Sequence, residues 1–349
     1  MKKKRRGKKA IRLYIALFLA SIIVLPLLIV VYFLNQKSLE LEDVIIKIEK
    51  NASTKFIVQQ FNKYGGLEPK AIFLPLIRFY SLISGKFPVS GTYKFTPRSS
   101  NLEIIRSIYA GQNLVIVKVT YPEGITVRDF ALITHRHLGI DTFAFYKAIE
   151  KGNYLEKLKI PINSLEGYLM PETYYFYYET DPRTVVEKLV ETQNKIWYEK
   201  FDHICKEKGL SRHFILTLAS IIELESPLKT ERKRISGVFY NRIDKGMKLE
   251  SDPTVQYAIS KKRKLKYSDL SIESPYNTYY KEGLPPGPIC SPSVESIEAA
   301  IFPERHKFLY FVSIGDGSGR HRFAENFQEH LKNKRLFKQA LKKQSSTSN

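Results

Sequence analysis

Two carboxylates, Glu223 and Glu225, sit two residues apart at the end of an apolar run, LASIIELES, over residues 218–226. From His213 onward this segment has no Gly or Pro until Pro227, and Ser211 is a fair N-cap, so it reads as a helix. At about 100° per residue, Ile215, Leu218, Ala219 and Ile222 share one stripe, while His213, Thr217 and Ser220 form a narrow polar side. Neither glutamate lies on that side. Glu223 falls between Ala219 and Leu216, and Glu225 between Leu218 and Phe214; a solvated glutamate would belong with Ser220. At least one carboxyl is therefore expected in packed, poorly hydrated surroundings. Desolvation raises a carboxyl pKa, which is what a general acid needs near neutral pH. The competing reading places both in a frayed, wet last turn ahead of Pro227. The spacing does not choose between the two glutamates.

The chain that must position them has 349 residues, 43% of them hydrophobic, enough for a packed core and against global disorder. Cys205 and Cys290 lie far apart and make neither a metal spacing nor a disulfide framework. Of the formal charge of +21, eight units come from MKKKRRGKKAIR at the start, and no acid precedes Glu40. Leu13–Leu34 then runs 22 residues without a charge. That length crosses a hydrocarbon core of about 30 Å, and Pro26 is tolerated in such a helix. The run exceeds a signal-peptide core, and VVYFLNQKS offers no small-x-small cleavage site, so it reads as an uncleaved signal anchor. The positive-inside rule puts residues 1–12 in the cytoplasm and the rest outside. The expected location is the cytoplasmic (inner) membrane, crossed once. The +13 beyond the tail suits anionic headgroups or acidic wall polymer, or is a solvated basic surface. Nucleic acid is not expected as a partner on that side of a membrane.

Three segments rhyme: 44–61, 91–108 and 115–133. Each holds a short strand, a turn, a Ser/Thr cap and an amphipathic helix, with capping-box spacing at Ser100/Glu103 and Thr126/Asp129. From 140 to 215 the pattern is largely helical, interrupted by the aromatic SLEGYLMPETYYFYYET. Beyond 227, turns and short strands are expected, with the Pro-, Gly- and Asn-rich pieces as functional loops. The end reads as a basic helix with a frayed tail.

EGYLMPETY, ASIIELES, FYNRI, LESDPTVQYA, SPYNTYYKEGLPPGPICSPS and FVSIGDGSGRHRF occur in this order behind the anchor. Together they closely resemble the MltG/YceG family of endolytic murein transglycosylases, over roughly residues 10–335. The resemblance implies an α+β chain: a transmembrane helix, a small LysM-like α+β module, then a mixed α/β catalytic domain with a lysozyme-like active-site helix. The expected divisions are a tail at 1–12, the anchor at 13–34, the LysM-like module at 35–118, the catalytic domain at 119–342 and a disordered tail at 343–349. It implies cleavage of nascent peptidoglycan strands, with Glu223 matching the catalytic glutamate and Glu225 a recurrent acidic position.

The resemblance further implies a one-carboxylate mechanism. The acid protonates the glycosidic oxygen, then deprotonates the C6 hydroxyl of N-acetylmuramic acid, which closes a 1,6-anhydro ring. Candidate partners are Glu166 and Tyr174 in EGYLMPETY, with Tyr168 and Tyr175 as stacking rings or core. Asn241 and Arg242 are candidates for acetamido or lactyl groups, or for structural pairing. Ser251, Asp252 and Thr254 form a polar cluster on a turn. Tyr276, Asn277, Thr278 and Tyr279 offer hydrogen bonds and stacking, and His321 is a loop candidate. No cofactor or metal is expected: there is no phosphate-binding fingerprint, and HRH at 135–137 is too isolated for a metal site. The alternatives are a hydrolysing muramidase on the same scaffold and a non-catalytic, membrane-anchored wall-binding protein. Peptidoglycan strands, the bilayer through residues 13–34 and wall-synthesis enzymes are the expected partners.

Overall fold

A computed structural model describes residues 2–37 and 43–347 of this mixed helix-and-strand protein. It falls into two compact units, Met1–Val117 with Tyr177–Glu179, and Lys118–Phe176 with Thr180–Asn349.

The first unit begins with a long helix, α1 (Lys2–Asn35). Its Leu13–Asn35 part has a mean hydropathy of 2.9, lies unburied, and is long and apolar enough to cross a membrane. Next come β1 (Val44–Ile48), α2 (Thr54–Asn62), α3 (Lys70–Ser84), β2 (Gly91–Phe95) and α4 (Asn101–Ala110). β1 pairs antiparallel with β2, Ile46 opposite Tyr93. The period of two in VIIKI buries Val44, Ile46 and Ile48 and exposes Ile45 and Lys47. Phe61, Phe73, Ile77, Ile104 and Ile108 close the core over them. Phe33 and Leu34 of α1 pack against this core. The side chain of Asn101 fastens the junction, donating to the Phe33 carbonyl at 2.9 Å and accepting from Leu67 N at 2.6 Å.

The chain continues through β3 (Ile116–Thr120) and β4 (Thr173–Tyr177), both of which cross the division between the units, and the second unit further holds α5 (Val127–Leu138), α6 (Thr142–Lys151), α7 (Tyr154–Lys157), α8 (Pro182–Lys200) and α9 (Asp202–Glu207). β3 pairs with β4. Then come α10 (Arg212–Glu225), α11 (Arg232–Asp244), α12 (Asp252–Ala258), α13 (Val294–Ile301), the antiparallel pair β5 (Tyr310–Ser313) and β6 (His321–Ala324), and α14 (Phe327–Thr347). Every residue of α10 from Ile215 to Ile222 is buried, and the helix packs on α11, α12 and α13. Cys205 and Cys290 are both buried as free thiols.

The three rhyming segments each form the expected strand, cap and helix, with Ser53, Ser100 and Thr126 as N-caps. Beyond residue 227 the chain is more helical than expected. α11 buries Ile235, Val238, Phe239 and Arg242, an amphipathic pattern. α12 starts on Asp252-Pro253, where the missing proline N–H is one no helix start can satisfy. α14 runs through Thr347, across most of the stretch expected as a disordered tail; the last two residues lie outside the described ones.

Candidate functional site

Ser211 starts α10 by accepting a hydrogen bond from Phe214 N, and the helix runs to Glu225. Its polar side is not solvated. Thr217 and Ser220 are buried, and Ser220 Oγ accepts from Ile289 N at 3.0 Å. His213 is held between the Tyr168 hydroxyl at 2.9 Å and the Pro286 carbonyl at 2.7 Å. His213 and Ser220 thus hold residues 286–289 against the helix, so its polar side is covered by chain and not by water.

The two carboxyls meet different surroundings. Glu223 is an acceptor in a buried ion pair, its side chain 6% exposed and that of Arg232 5%. Arg232 donates to Oε1 at 2.8 Å and to Oε2 at 3.2 Å. Ser293 adds its backbone N–H at 2.9 Å and its hydroxyl at 2.5 Å, both to Oε2. Ser293 also caps α13, accepting from Ser296 N, so one residue starts that helix and holds the carboxylate. Glu225 has a sparser setting. Ser251 Oγ donates to its Oε1 at 2.5 Å. Burial pushes the Glu225 carboxyl up to about 7; the Ser251 hydrogen bond opposes this, and the charge of Asp252 adds to it.

The loop YPEG, residues 121–124, lies against Glu223. Gly124 N donates to the Ser291 carbonyl at 2.9 Å, and Ser291 N returns a bond to the Ile125 carbonyl at 2.8 Å. Gly124 has φ +74°, and a Cβ there would meet Leu224 at 3.2 Å and Glu223 Cγ at 3.6 Å. The neighbouring Glu123 carboxyl is raised by partial burial and then by the charge of Glu223.

Beside this cluster opens a cavity of about 700 Å³. Leu224 forms part of its wall, with Tyr146, Tyr257, Tyr276, Arg128 and Lys262. Glu166 lines it while almost wholly buried. Its carboxyl accepts from Val127 N, the first residue of α5, at 3.0 Å and from the Tyr257 hydroxyl at 3.5 Å. Burial pushes it up to about 8, against the pull of the Val127 N–H. The next residue, Gly167, has φ +79°, and a Cβ there would stand 2.5 Å from Pro288. The glycine in EGYLMPETY is thus fixed by the close approach of GPICSPS.

The remaining expected residues divide. Ser251, Thr254 and Thr278 form one buried hydroxyl cluster beside Glu225. Ser251 N donates to Thr278 Oγ1 at 3.0 Å, which lies 2.8 Å from Thr254 Oγ1. The Tyr279 hydroxyl donates to Asp252 at 2.7 Å. Ser251 and Asp252 open α12 rather than lying on a free turn. Tyr276 lines the cavity, its ring 4.9 Å from that of Tyr257.

Others are occupied elsewhere. Tyr174 is a core ring, packed on Tyr121 and Phe176 with its hydroxyl donating to the Met170 carbonyl. Tyr168 is buried as well, whereas Tyr175 is exposed. Asn241 donates to the carbonyls of His306 and Phe308, both at 2.9 Å. Arg242 is buried, binding the Leu309, Lys248 and Leu249 carbonyls and Glu250, with its guanidinium over Tyr310. Asn241 has spent both amide hydrogens, and Arg242 is committed through Nε and Nη1. Asn277 spends its amide on the Leu270 and Ile272 carbonyls. His321 is fastened by Nδ1 to Glu231 at 2.8 Å.

Sequence reasoning missed Arg232, Ser293, Glu123 and Tyr257. Arg232 lies in the run KTERKR, where nothing marks one cation over its neighbours. Ser293 ends the segment GPICSPS, where one serine among two looks like ordinary loop chemistry. Among the described residues, no group of three or more His, Cys, Asp or Glu side chains is arranged to hold a metal.

Comparison with known proteins bears on this arrangement. The model of the YceG-like family matches residues 46–336. An endolytic murein transglycosylase of Bacillus subtilis is 42% identical over 177 residues, covering 50% of this chain and 48% of that protein. One from Streptococcus pneumoniae is 28% identical over 275 residues, covering 70% of this chain and 50% of its own. The chain thus spans about half the length of the curated relatives it matches. A solved yceG-like protein from Listeria monocytogenes superposes with a TM-score of 0.59 at 28% identity, covering 83% of this chain and 98% of that one. With a family match that runs from β1 into α14 and takes in both glutamates and the cavity, this chain belongs to the YceG-like family.

Proposed function

We propose that this protein is a membrane-anchored endolytic transglycosylase that cuts peptidoglycan strands, leaving 1,6-anhydro-N-acetylmuramic acid ends. α1 is its anchor in the cytoplasmic membrane, with residues 1–12 inside. Residues 35–118 serve as a LysM-like wall-binding module, and the strand–helix–helix–strand order of the first unit supports that reading. Residues 119–342 carry the chemistry, with α10 as the active-site helix.

The observation that carries the reading is the contrast between the two carboxyls on α10. A single group that acts as acid and then base needs a pKa near the working pH. Glu225, pushed by burial to about 7, meets that requirement. Glu223 is instead committed to Arg232 and Ser293, accepting on both oxygens. We therefore assign the proton to Glu225, two residues from the position the family resemblance picks out, and give Glu223 the task of fixing the end of α10. Glu225 protonates the glycosidic oxygen as the bond to C1 breaks. As a carboxylate it then takes the proton of the C6 hydroxyl, which closes on C1; no water is consumed. The cavity binds the strand. Tyr257 and Tyr276 offer ring faces, and Glu166, with a carboxyl near 8, presents a proton to an acetamido carbonyl.

A second reading, hydrolysis, draws support from Asp252, whose charge Glu225 feels. Digesting isolated strands with the protein and reading chain ends by mass spectrometry separates the two. Ends lighter by one water, absent with Glu225→Gln, are expected. Full-mass reducing ends mean hydrolysis, with Asp252 as the water-activating base. An active Glu225→Gln protein beside a folded but dead Glu223→Gln one would return the proton to Glu223. Anchoring keeps the site where new strands emerge, so association with wall-synthesis enzymes and a role in ending strand growth follow. A soluble form that restored strand length in cells as well as the anchored one would count against that role.

A further inference from the structure

α3 is apolar on two sides. Phe73 and Ile77 face the core of the first unit. On its other side Phe79, Leu82 and Ile83 are 61%, 82% and 70% exposed, and Phe87, just past the helix, is 72% exposed. A helix facing water carries polar residues on its outer side. Here that side carries one charge, Arg78, with Lys86 following the helix, both exposed. Between Glu68 and Glu103 there is no acidic residue, but there are Lys70, Arg78, Lys86, Lys94 and Arg98. Lys94 is paired with Asp43 at 2.7 Å, which leaves Arg78 and Lys86 as the cations that flank the apolar side chains along the chain. Exposed apolar side chains flanked by cations suit a bilayer with anionic headgroups.

The same unit contains the membrane-length helix, and the junction is close. Asn101 bonds the Phe33 carbonyl at the end of α1 and Leu67 N just ahead of α3. α3 has 15 residues, about 22 Å, so its patch lies within about 40 Å of the point where α1 ends. We infer that the outer face of α3, from Arg78 to Phe87, lies in the headgroup layer of the bilayer that α1 crosses. Its apolar side chains reach the acyl boundary, and Arg78 and Lys86 meet anionic headgroups. The inference rests on α1 being an anchor.

The test uses the full chain in nanodiscs of phosphatidylcholine and phosphatidylglycerol, with and without lipid carrying a nitroxide near the headgroup. Trp197 is the chain's one tryptophan and is buried, so it supplies a lipid-independent baseline. Leu82→Trp is expected to add blue-shifted emission that the nitroxide lipid largely removes. Leu25→Trp, in α1 and read with a deep nitroxide, reports the anchor alone. Added emission from Leu82→Trp that the nitroxide leaves intact overturns the inference, whether red (water) or blue (cover by a second copy or another protein). If Leu25→Trp is quenched in that case, the anchor stands and only the α3 contact fails. If neither is quenched, both fall.

Discussion

Ser251→Ala is the sharpest test of the proton assignment. The hydroxyl donates to Glu225 Oε1 at 2.5 Å and holds the carboxyl lower than burial alone would. A hydrogen bond to a charged group contributes about 1.5–3 kcal/mol. Glu225 lies in the last turn of α10 and keeps some solvent access, so the lower figure applies. One pKa unit corresponds to about 1.4 kcal/mol. Removing the hydroxyl therefore raises the carboxyl by about one unit, from about 7 to about 8. The change is clean for the fold, because Ser251 makes no side-chain cap to α12 and its backbone N–H stays on Thr278. The protonated acid is the competent form, so kcat/KM falls as pH rises through its pKa. The alkaline limb of the profile, measured on isolated strands from pH 5 to 9, should move up by about one unit in the variant. A limb that stays in place or moves down refutes the argument. So does a limb that responds to Glu223→Gln and not to Ser251→Ala.

Three further outcomes are expected. Arg232→Met leaves Glu223 buried without its partner and should cost about 3–5 kcal/mol of stability, read as a lower Tm, before any effect on the proton is considered. Arg242→Lys should lower stability by about 2 kcal/mol through loss of the fork that binds three carbonyls and Glu250, with KM for strands unchanged; a raised KM at unchanged Tm would restore Arg242 to the groove. Glu166 has a carboxyl raised in the fold, so the stability it contributes is full below its unfolded value of about 4.3 and is lost as pH rises through about 8. Urea titrations of the wild type should accordingly lose several kcal/mol, on the order of 5, between those limits. Glu166→Gln should flatten that slope, and an unchanged slope would show that another group sets it.

The three rhyming segments were legible in the sequence, because the helix of each is announced by its own cap. Ser53, Ser100 and Thr126 lie where the strand period gives way to the helix period, and their neighbours decide the outcome. α3 was not legible in the same way. With apolar residues on both sides it shows no contrast between a wet and a dry face. Around α10 the periodicity misled for a different reason. His213 and Ser220 look like a solvated side, but their partners arrive from Pro286 and Ile289, a separation no local pattern records. Glu223 and Glu225 lie on different sides of the helical wheel, but both are off its polar side, so the wheel does not choose between them. What divides them is Arg232 and Ser293 on one and Ser251 on the other, contacts 9, 70 and 26 residues away in the chain. Asn241, Arg242 and Asn277 stand out in the sequence only as polar groups in a motif. The structure spends their donors on backbone carbonyls, the commonest fate of a buried amide or guanidinium.

The two buried thiols have a practical consequence. The nucleophile in alkylation or oxidation is the thiolate, and burial pushes Cys205 up to about 11 and Cys290 well above its ordinary value. Cys290 also directs its Sγ at the Ser220 carbonyl, 3.3 Å away inside α10. Neither sulfur is presented to a reagent while the second unit is closed. The chain therefore carries a built-in clock: labelling by an aromatic disulfide at Cys290 advances only when α10 and the segment GPICSPS part. Its rate in denaturant reads the opening of the helix that bears both glutamates, without an added probe.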